Sequence, residues 1–500
     1  MVHLRSFRAV LLCLAAAPAF GAGDKFAGLT KAVTAFKLPN GAQFFVVERP
    51  YSPVVSFHLR VKAGVADEPS GRGGLATLAL LNFLEGSESY GSRNPAAEKA
   101  ALAQAAKLFD VARADVAKGD QVDEIQKGRS DFQARSAFDE AAHFGVRPRF
   151  FDGVLGQNGV TGFDLRPTAD YSDLSMTLPS NRVELWFRMV SSWLQSPSTR
   201  FFPKSRELVL QQRERVANTG ALLRERAFGA PFTLHPYGAI ASGDVELSGA
   251  TPGEVLAFLK THYVPANLMI AIVGDIAPAE ARRLAEAYIG KLPSSVPPAA
   301  KSAEMPKADF AGQIRLAAGE APVFAAGWPR PASSDPSDPV FEVLQFLLAG
   351  GPGSRLHDKL MLESRTIGRL AVTSRFPGGR FPGLFVIEAE PLAPWSHEDV
   401  ENALGKELSV AAKDGFSNEE MERARAAWRD RLLADSQTAA GRAAQLVRTQ
   451  TEQGAYRLEE LLSKLEAVSA ADCQRVLNEY LAAKPYFSIL QYMAITGGGQ

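Results

Sequence analysis

The sequence predicts an α+β fold of two homologous halves. Three observations carry that expectation. Residues 292–309 hold four prolines and almost no large apolar side chain, so they suit a linker and divide the chain into halves of similar size. In each half a helical pattern closes on a tyrosine, passes a proline and enters an apolar strand. In the first half it runs Phe258–Tyr263, Pro265, then Leu268–Val273; in the second, Val476–Tyr480, Pro485, then Tyr486–Leu490. Earlier in each half an extended segment ends at a proline, Leu174–Pro179 and Leu384–Pro391, and a helical pattern follows. Duplication of one unit accounts for all three.

The elements follow in order. Arg5 and Arg8 precede a short apolar run, Ala9–Ala17, and small residues at Ala17, Ala19 and Gly21 offer cleavage sites. Residues 1–21 therefore read as a secretory signal peptide, too short to span a membrane, and the protein as exported to a periplasmic compartment. No later stretch reaches the roughly 18 uninterrupted apolar residues of a spanning helix. The 55 basic and 55 acidic residues cancel, which gives no footing for nucleic acid or an anionic membrane. Once Cys13 leaves with the signal, Cys473 is alone, so no intramolecular disulfide can form, and it reads as a packing residue.

An N-terminal domain is expected over 22–291. Val54–Val61 is an apolar strand that would pack His58. Residues 95–145, rich in Ala, Lys and Asp, read as a surface helical insertion of two helices broken near Lys118-Gly119-Asp120, more simply a solvated excursion than a clasp for a partner. Amphipathic helices are expected at Arg182–Leu194, with Asn181 and Glu184 at capping-box spacing, and at Lys204–Val216. A C-terminal domain, 310–500, should carry helices at Asn418–Ser436, opened by Asn418, and at Glu459–Val468.

The most informative stretch is residues 73–87, Gly73-Gly74-Leu75-Ala76-Thr77-Leu78-Ala79-Leu80-Leu81-Asn82-Phe83-Leu84-Glu85-Gly86-Ser87. It has the frame of a zinc-peptidase helix, G-G-L-A-H-x-x-E-H-x-x-F-x-G-[ST]. Further segments line up in the same order: Leu178–Trp186, Phe202–Leu210, His235-Pro236-Tyr237, Tyr263–Asn267, Val273-Gly274-Asp275 and Gly350–Leu356. Over nearly its whole length the chain resembles the insulinase–pitrilysin family of metallopeptidases, including the processing-peptidase type, and its insertion is similar to one in a long bacterial subgroup. The resemblance implies a duplicated α+β fold, each half a mostly antiparallel sheet with helices packed on one face, whose halves meet two more to enclose a chamber. There peptides would be held in extended form against a sheet edge.

It also implies a set of catalytic positions, and here each is replaced. Thr77 and Leu81 stand where the helix would carry two histidine ligands, and Leu80 where it would carry the glutamate base. Aligned on Phe202–Leu210, Ser205 replaces a supporting acid and Gln212 the third ligand. Glu85 cannot serve as a shifted base, because Asn82 and Gly86 flank it where histidines would be needed. No two of the seven histidines lie three or four residues apart, so no helix presents a histidine pair. His235 reads as a turn residue. In the second half, Met361 and Gly368 or Arg369 take the places of the arginine and tyrosine that would stabilise an oxyanion. Arg365 and Arg369 remain as lone contacts for a substrate carbonyl. Gly162–Asp170 falls where relatives carry the edge-strand motif G-x-N-A-x-[ST]-x-x-D. Asp164 replaces the asparagine, Arg166 lies beside it, and Pro167 lacks an N–H. Gly350–Gly353 lacks the Lys-[ST] of a phosphate loop and reads as a tight turn.

The expectation is a catalytically silent homologue, a pseudoenzyme that binds no zinc of its own. It would pair with a zinc-bearing homologue or with a second copy and act on peptides. The alternatives are a scaffold or peptide-binding protein without a protease partner, and a metallopeptidase with rearranged ligands.

Overall fold

The computed structural model describes residues 32–493, less 70–71, 85, 146–150, 217–218, 233–234, 242–249, 297, 300, 306–311, 318–320, 455–456, 483–484 and 486. The first half runs β1 (Val33–Lys37), β2 (Gln43–Glu48), β3 (Val54–Val61), α1 (Leu75–Leu84), α2 (Pro95–Ala117), α3 (Glu124–Ala142), β4 (Thr161–Pro167) and β5 (Ser172–Pro179). It continues with α4 (Val183–Gln195), α5 (Phe202–Val216), α6 (Gly220–Gly229), α7 (Pro252–His262), β6 (Leu268–Gly274) and α8 (Pro278–Tyr288). The second half runs β7 (Gly312–Ala317), β8 (Val323–Arg330), α9 (Asp338–Ala349), β9 (Ile367–Phe376), β10 (Gly383–Pro391) and α10 (His397–Asp414). It ends with α11 (Asn418–Gln437), α12 (Ala439–Gln453), α13 (Leu458–Glu466), α14 (Ala470–Val476) and β11 (Phe487–Tyr492).

The first sheet has the order β1-β2-β6-β3-β5-β4, the second β7-β11-β8-β10-β9. Five strands correspond one to one. β2 pairs with β6 in parallel, as β7 does with β11, and the other pairs are antiparallel. The expected α+β fold with two like halves is therefore the fold observed. Among the described residues, the first half adds β1 at one edge and α8 after β6.

Each half packs its own helices on one face of its sheet. Trp186 of α4, fully buried, stacks on Phe57 of β3 at 4.3 Å, and Phe187 meets the same ring edge-on. Burying such side chains contributes roughly 1.5–3 kcal/mol each. The opposite face of each sheet is covered by a helix of the other half. Ala443, Leu446 and Val447 of α12 pack on Phe45, Val47, Met269, Ala271 and Val273 of the first sheet. Phe228 of α6 packs among Ala325, Leu384, Phe487 and Ile489 of the second. The central strands are near-continuous apolar runs, apolar on both faces, and the exchanged helices cover the outer one.

Several local expectations are corrected. The cap of α11 is Ser417, which forms a reciprocal capping box with Glu420, so Asn418 is already helical. Asn181 makes no cap: Ser180–Arg182 is a tight turn leading into α4. The insertion is the expected helix pair, with its break at Gly119–Gln121, but it is no solvated excursion. Phe109 and Phe138 are buried and meet each other and Phe202 of α5 as an aromatic cluster. Glu98 reaches Arg200 in a bidentate pair (2.7 and 2.8 Å), both side chains 2% exposed.

Candidate functional site

The N-terminus of α1 is held by Glu68, whose buried carboxylate accepts from the Gly74 and Ala76 N–H groups at 2.9 and 2.7 Å. Gly74 has φ +93°, a left-handed turn that favours glycine. Thr77, Leu80 and Leu81 then fall three and four residues apart on one side of α1, which lies against α5 and β4. The helix pair that would present a metal is therefore in place.

The side chains on it do not fit zinc. Leu80 is 2% exposed in the main apolar core and Leu81 packs against that core. Thr77 is half-buried, Ser205 is buried and Gln212 is exposed on α5. Two alkyl groups, a hydroxyl and an amide offer no thiolate, imidazole or carboxylate donor. Among the described residues, no group of three or more His, Cys, Asp or Glu is disposed to hold a metal ion. Glu85 lies outside the described residues.

The peptide-contact candidates fall on the two outer edges. β4 is an edge strand of the first sheet and pairs only with β5, with an irregularity between Thr161 and Asp164. Asp164 and Arg166 point to solvent there and pair with each other at 2.9 Å. Phe163 and Leu165 alternate toward the core. Pro167 lies at the end of β4, opposite Ser172. Arg369 sits on β9, an edge strand of the second sheet, and is paired with Glu390 at 3.0 Å. Arg365 is exposed just before β9 with φ +50°. The glycine-rich turn closes on itself: Ser354 Oγ donates to the Gly351 carbonyl at 2.6 Å, and Arg355 pairs with Glu420.

Sequence reading missed a polar seam between the halves. Asp170, on the turn between β4 and β5, accepts from the Gly379 and Arg380 N–H groups (2.7 and 3.0 Å) and from Tyr237 Oη (2.8 Å). Arg380 pairs with Asp67 at 2.9 Å. Asp170 is the last residue of the Gly162–Asp170 motif, and its partners lie far from it along the chain. Nearby, Arg60 holds Asp173 with two bonds of 2.7 Å. Arg375 bridges Asp338, Glu342 and Glu452, while burial pushes the Glu452 carboxyl up. His58 Nδ1 bonds to Ser175 Oγ at 2.7 Å, and its Nε2 lies 3.5 Å from the Asp173 carboxylate. His235 is, as expected, a turn residue: its Nδ1 accepts from the Tyr237 N–H at 3.1 Å, and burial lowers its pKa to about 4.

The duplicated two-sheet scaffold thus sets an edge strand beside a helix pair whose Thr77, Leu80, Leu81 and Gln212 offer no metal donor. Residues 249–427 match the family described as the peptidase M16 inactive domain. That match covers only the later part of the first half and the earlier part of the second, and the likeness over the rest of the chain is one of fold. Two solved structures share its fold. One is a protease from Helicobacter pylori, with TM-score 0.70 and 16% identity, covering 92% of this chain and 99% of that one. The other is a peptidase M16 inactive domain from Pseudomonas fluorescens, with TM-score 0.69 and 17% identity, covering 93% and 98%. No curated protein matches the chain. The matched stretch begins at α7, so the state of α1 and α5 is read from their own residues.

Proposed function

We propose that this chain is an exported, catalytically silent subunit that closes a peptide chamber with a zinc-bearing homologue. Its two peptidase-like domains would join at 292–309, and the zinc would belong to the partner. The observation that carries this reading is the filling of the catalytic positions by Thr77, Leu80, Leu81 and Gln212 on a helix pair that is otherwise intact. Support comes from β4, whose outer edge is free to add an extended peptide as another strand. Among the described residues no helix is long and apolar enough to cross a membrane, in keeping with a partner that it meets in the envelope space.

The test is purification of the mature chain, followed by metal analysis and incubation with unstructured peptides. The expected result is no stoichiometric zinc and no cleavage. Addition of the co-purifying H-x-x-E-H homologue should raise that homologue's turnover. Chelator-sensitive cleavage by the isolated chain would reject the proposal, and an active homologue indifferent to this chain would leave it a scaffold.

A further inference from the structure

α11 turns back into α12 through Thr438, and across that hairpin Arg448 pairs with Asp435 at 2.6 Å. One helical turn further from the bend, on each helix, stand Arg431 and Glu452. They are again an arginine and a carboxylate with the same offset, yet they do not pair. Glu452 turns inward: its Oε2 accepts from Arg375 at 3.3 Å, and its Oε1 accepts from no group among the described residues. Arg431 is exposed and makes no hydrogen bond or ion pair among the described residues.

Both side chains line a cavity of about 290 Å³ enclosed by α9, β9, α11, α12 and α13. Phe346 and Trp428 form part of its wall; each packs on the second core in part and keeps the rest of its ring surface uncovered. The buried cluster on which the cavity opens is unbalanced. Arg330 and Arg375 meet Asp338, Glu342 and Glu452, so two guanidinium groups face three carboxylates and one negative charge is in excess when all are ionised. The neighbouring pairs, Arg60 with Asp173 and Arg448 with Asp435, cancel within themselves. The charge left over inside is that of Glu452, and the charge left over on the exposed side is that of Arg431.

We propose that this cavity binds a small apolar zwitterion, a free amino acid or a dipeptide. Its ammonium would donate to Glu452, its carboxylate would accept from Arg431, and its apolar side chain would cover Phe346 and Trp428. A simple anion would satisfy Arg431 but meet the excess negative charge at Glu452. A simple cation would satisfy Glu452 and leave Arg431 unmet. A ligand with both ends completes the ion pair that the hairpin leaves open, and each end makes a charge-assisted hydrogen bond in a site partly withdrawn from water. The inference does not depend on whether the chain has a zinc-bearing partner.

The probes are L-phenylalanine and alanylphenylalanine, each titrated against the full chain by calorimetry, together with their N-acetyl and C-terminal amide forms. Saturable binding of at least one free zwitterion, one per chain, is expected. Acetylation and amidation should each weaken it at least about tenfold, the loss of one hydrogen bond between charged groups. Arg431→Gln should bind the free zwitterion about as weakly as the parent binds the amide, and Glu452→Gln about as weakly as the parent binds the acetylated form. A purely structural role for either residue would move the melting temperature and leave the preference for free over blocked ends untouched. No saturable binding of either zwitterion, blocked forms that bind as tightly as free ones, or a folded variant that binds and discriminates as the parent does would overturn the proposal. Should Glu452→Gln fail to fold, Arg431→Gln, at an exposed position, decides the matter.

Discussion

The phenol of Tyr237 donates to Asp170 at 2.8 Å and accepts from the Phe381 N–H at 3.2 Å, so one buried hydroxyl ties the first half to the loop before β10. Both partners are themselves withdrawn from water, so neither can be re-solvated cheaply when the hydroxyl is removed. Tyr237→Phe keeps the ring among Phe232, His235 and Phe381 and removes only the oxygen. It should cost about 1–3 kcal/mol in denaturant unfolding. A midpoint equal to that of the parent would show that the seam does not hold the halves together.

Acid should attack the seam at Asp173. Burial raises its carboxyl, but the hydrogen bonds from Arg60 and His58 and their charges outweigh burial and hold the pKa down, from the ordinary 3.8 to about 2. A depressed carboxyl contributes stability that is complete above 3.8 and disappears as pH falls through about 2. The difference is worth roughly 2 kcal/mol. Stability measured from pH 5 down to pH 2 should fall by about that much more in the parent than in Asp173→Asn, which starts lower at neutral pH because Arg60 loses its charged partner. Parallel curves for the two proteins would exclude Asp173 as the acid-labile group.

Leu80 of α1 is part of the main core. A carboxylate at a position 2% exposed, among Leu78, Phe83 and their neighbours, has no donor to compensate it. Leu80→Glu should therefore destabilise by roughly 3–5 kcal/mol. Thr77→His and Gln212→Glu, at half-buried and exposed sites, should each stay within about 1 kcal/mol of the parent. Thermal melts of the three variants read this directly. Should Leu80→Glu melt with the parent, α1 borders a cavity able to hydrate an acid, and Leu80 is not the core position its burial indicates.

The duplicated strand order and the α1 frame were legible in the sequence because both rest on local patterns: prolines after helices, apolar runs, and small residues at fixed spacing. The exchanged helices were not. α6 and α12 carry ordinary helical periodicity, and nothing in Phe228 or Leu446 says which sheet face they will cover. The role of Asp170 is invisible in the sequence for the same reason, since its partners at Tyr237, Gly379 and Arg380 lie far along the chain. The caps of α4 and α11 were misplaced by one to a few residues because Ser, Asn and Pro compete locally for the helix start.

The pairing of Glu98 with Arg200 is the deepest anchor of the inserted hairpin. Arg200 also donates to the Tyr90 and Ser87 carbonyls at 2.9 and 3.0 Å, so its guanidinium is held both by α2 and by the turn before it. Gly86 and Gly91, at φ +105° and +88°, let the chain pass so close that a Cβ would lie within 3 Å of the guanidinium. Removing the carboxylate leaves that cation buried without its counter-charge. Glu98→Ala should cost about 3–5 kcal/mol, and Glu98→Ala with Arg200→Met much less than the sum of the single changes, because the second change removes the stranded charge. Limited proteolysis gives an independent readout: cleavage between Lys118 and Asp123, at the hairpin tip, should accelerate in Glu98→Ala and fall back in the double variant. Strictly additive losses, with no relief of proteolysis, would mean that the aromatic cluster of Phe109, Phe138 and Phe202 alone seats the hairpin.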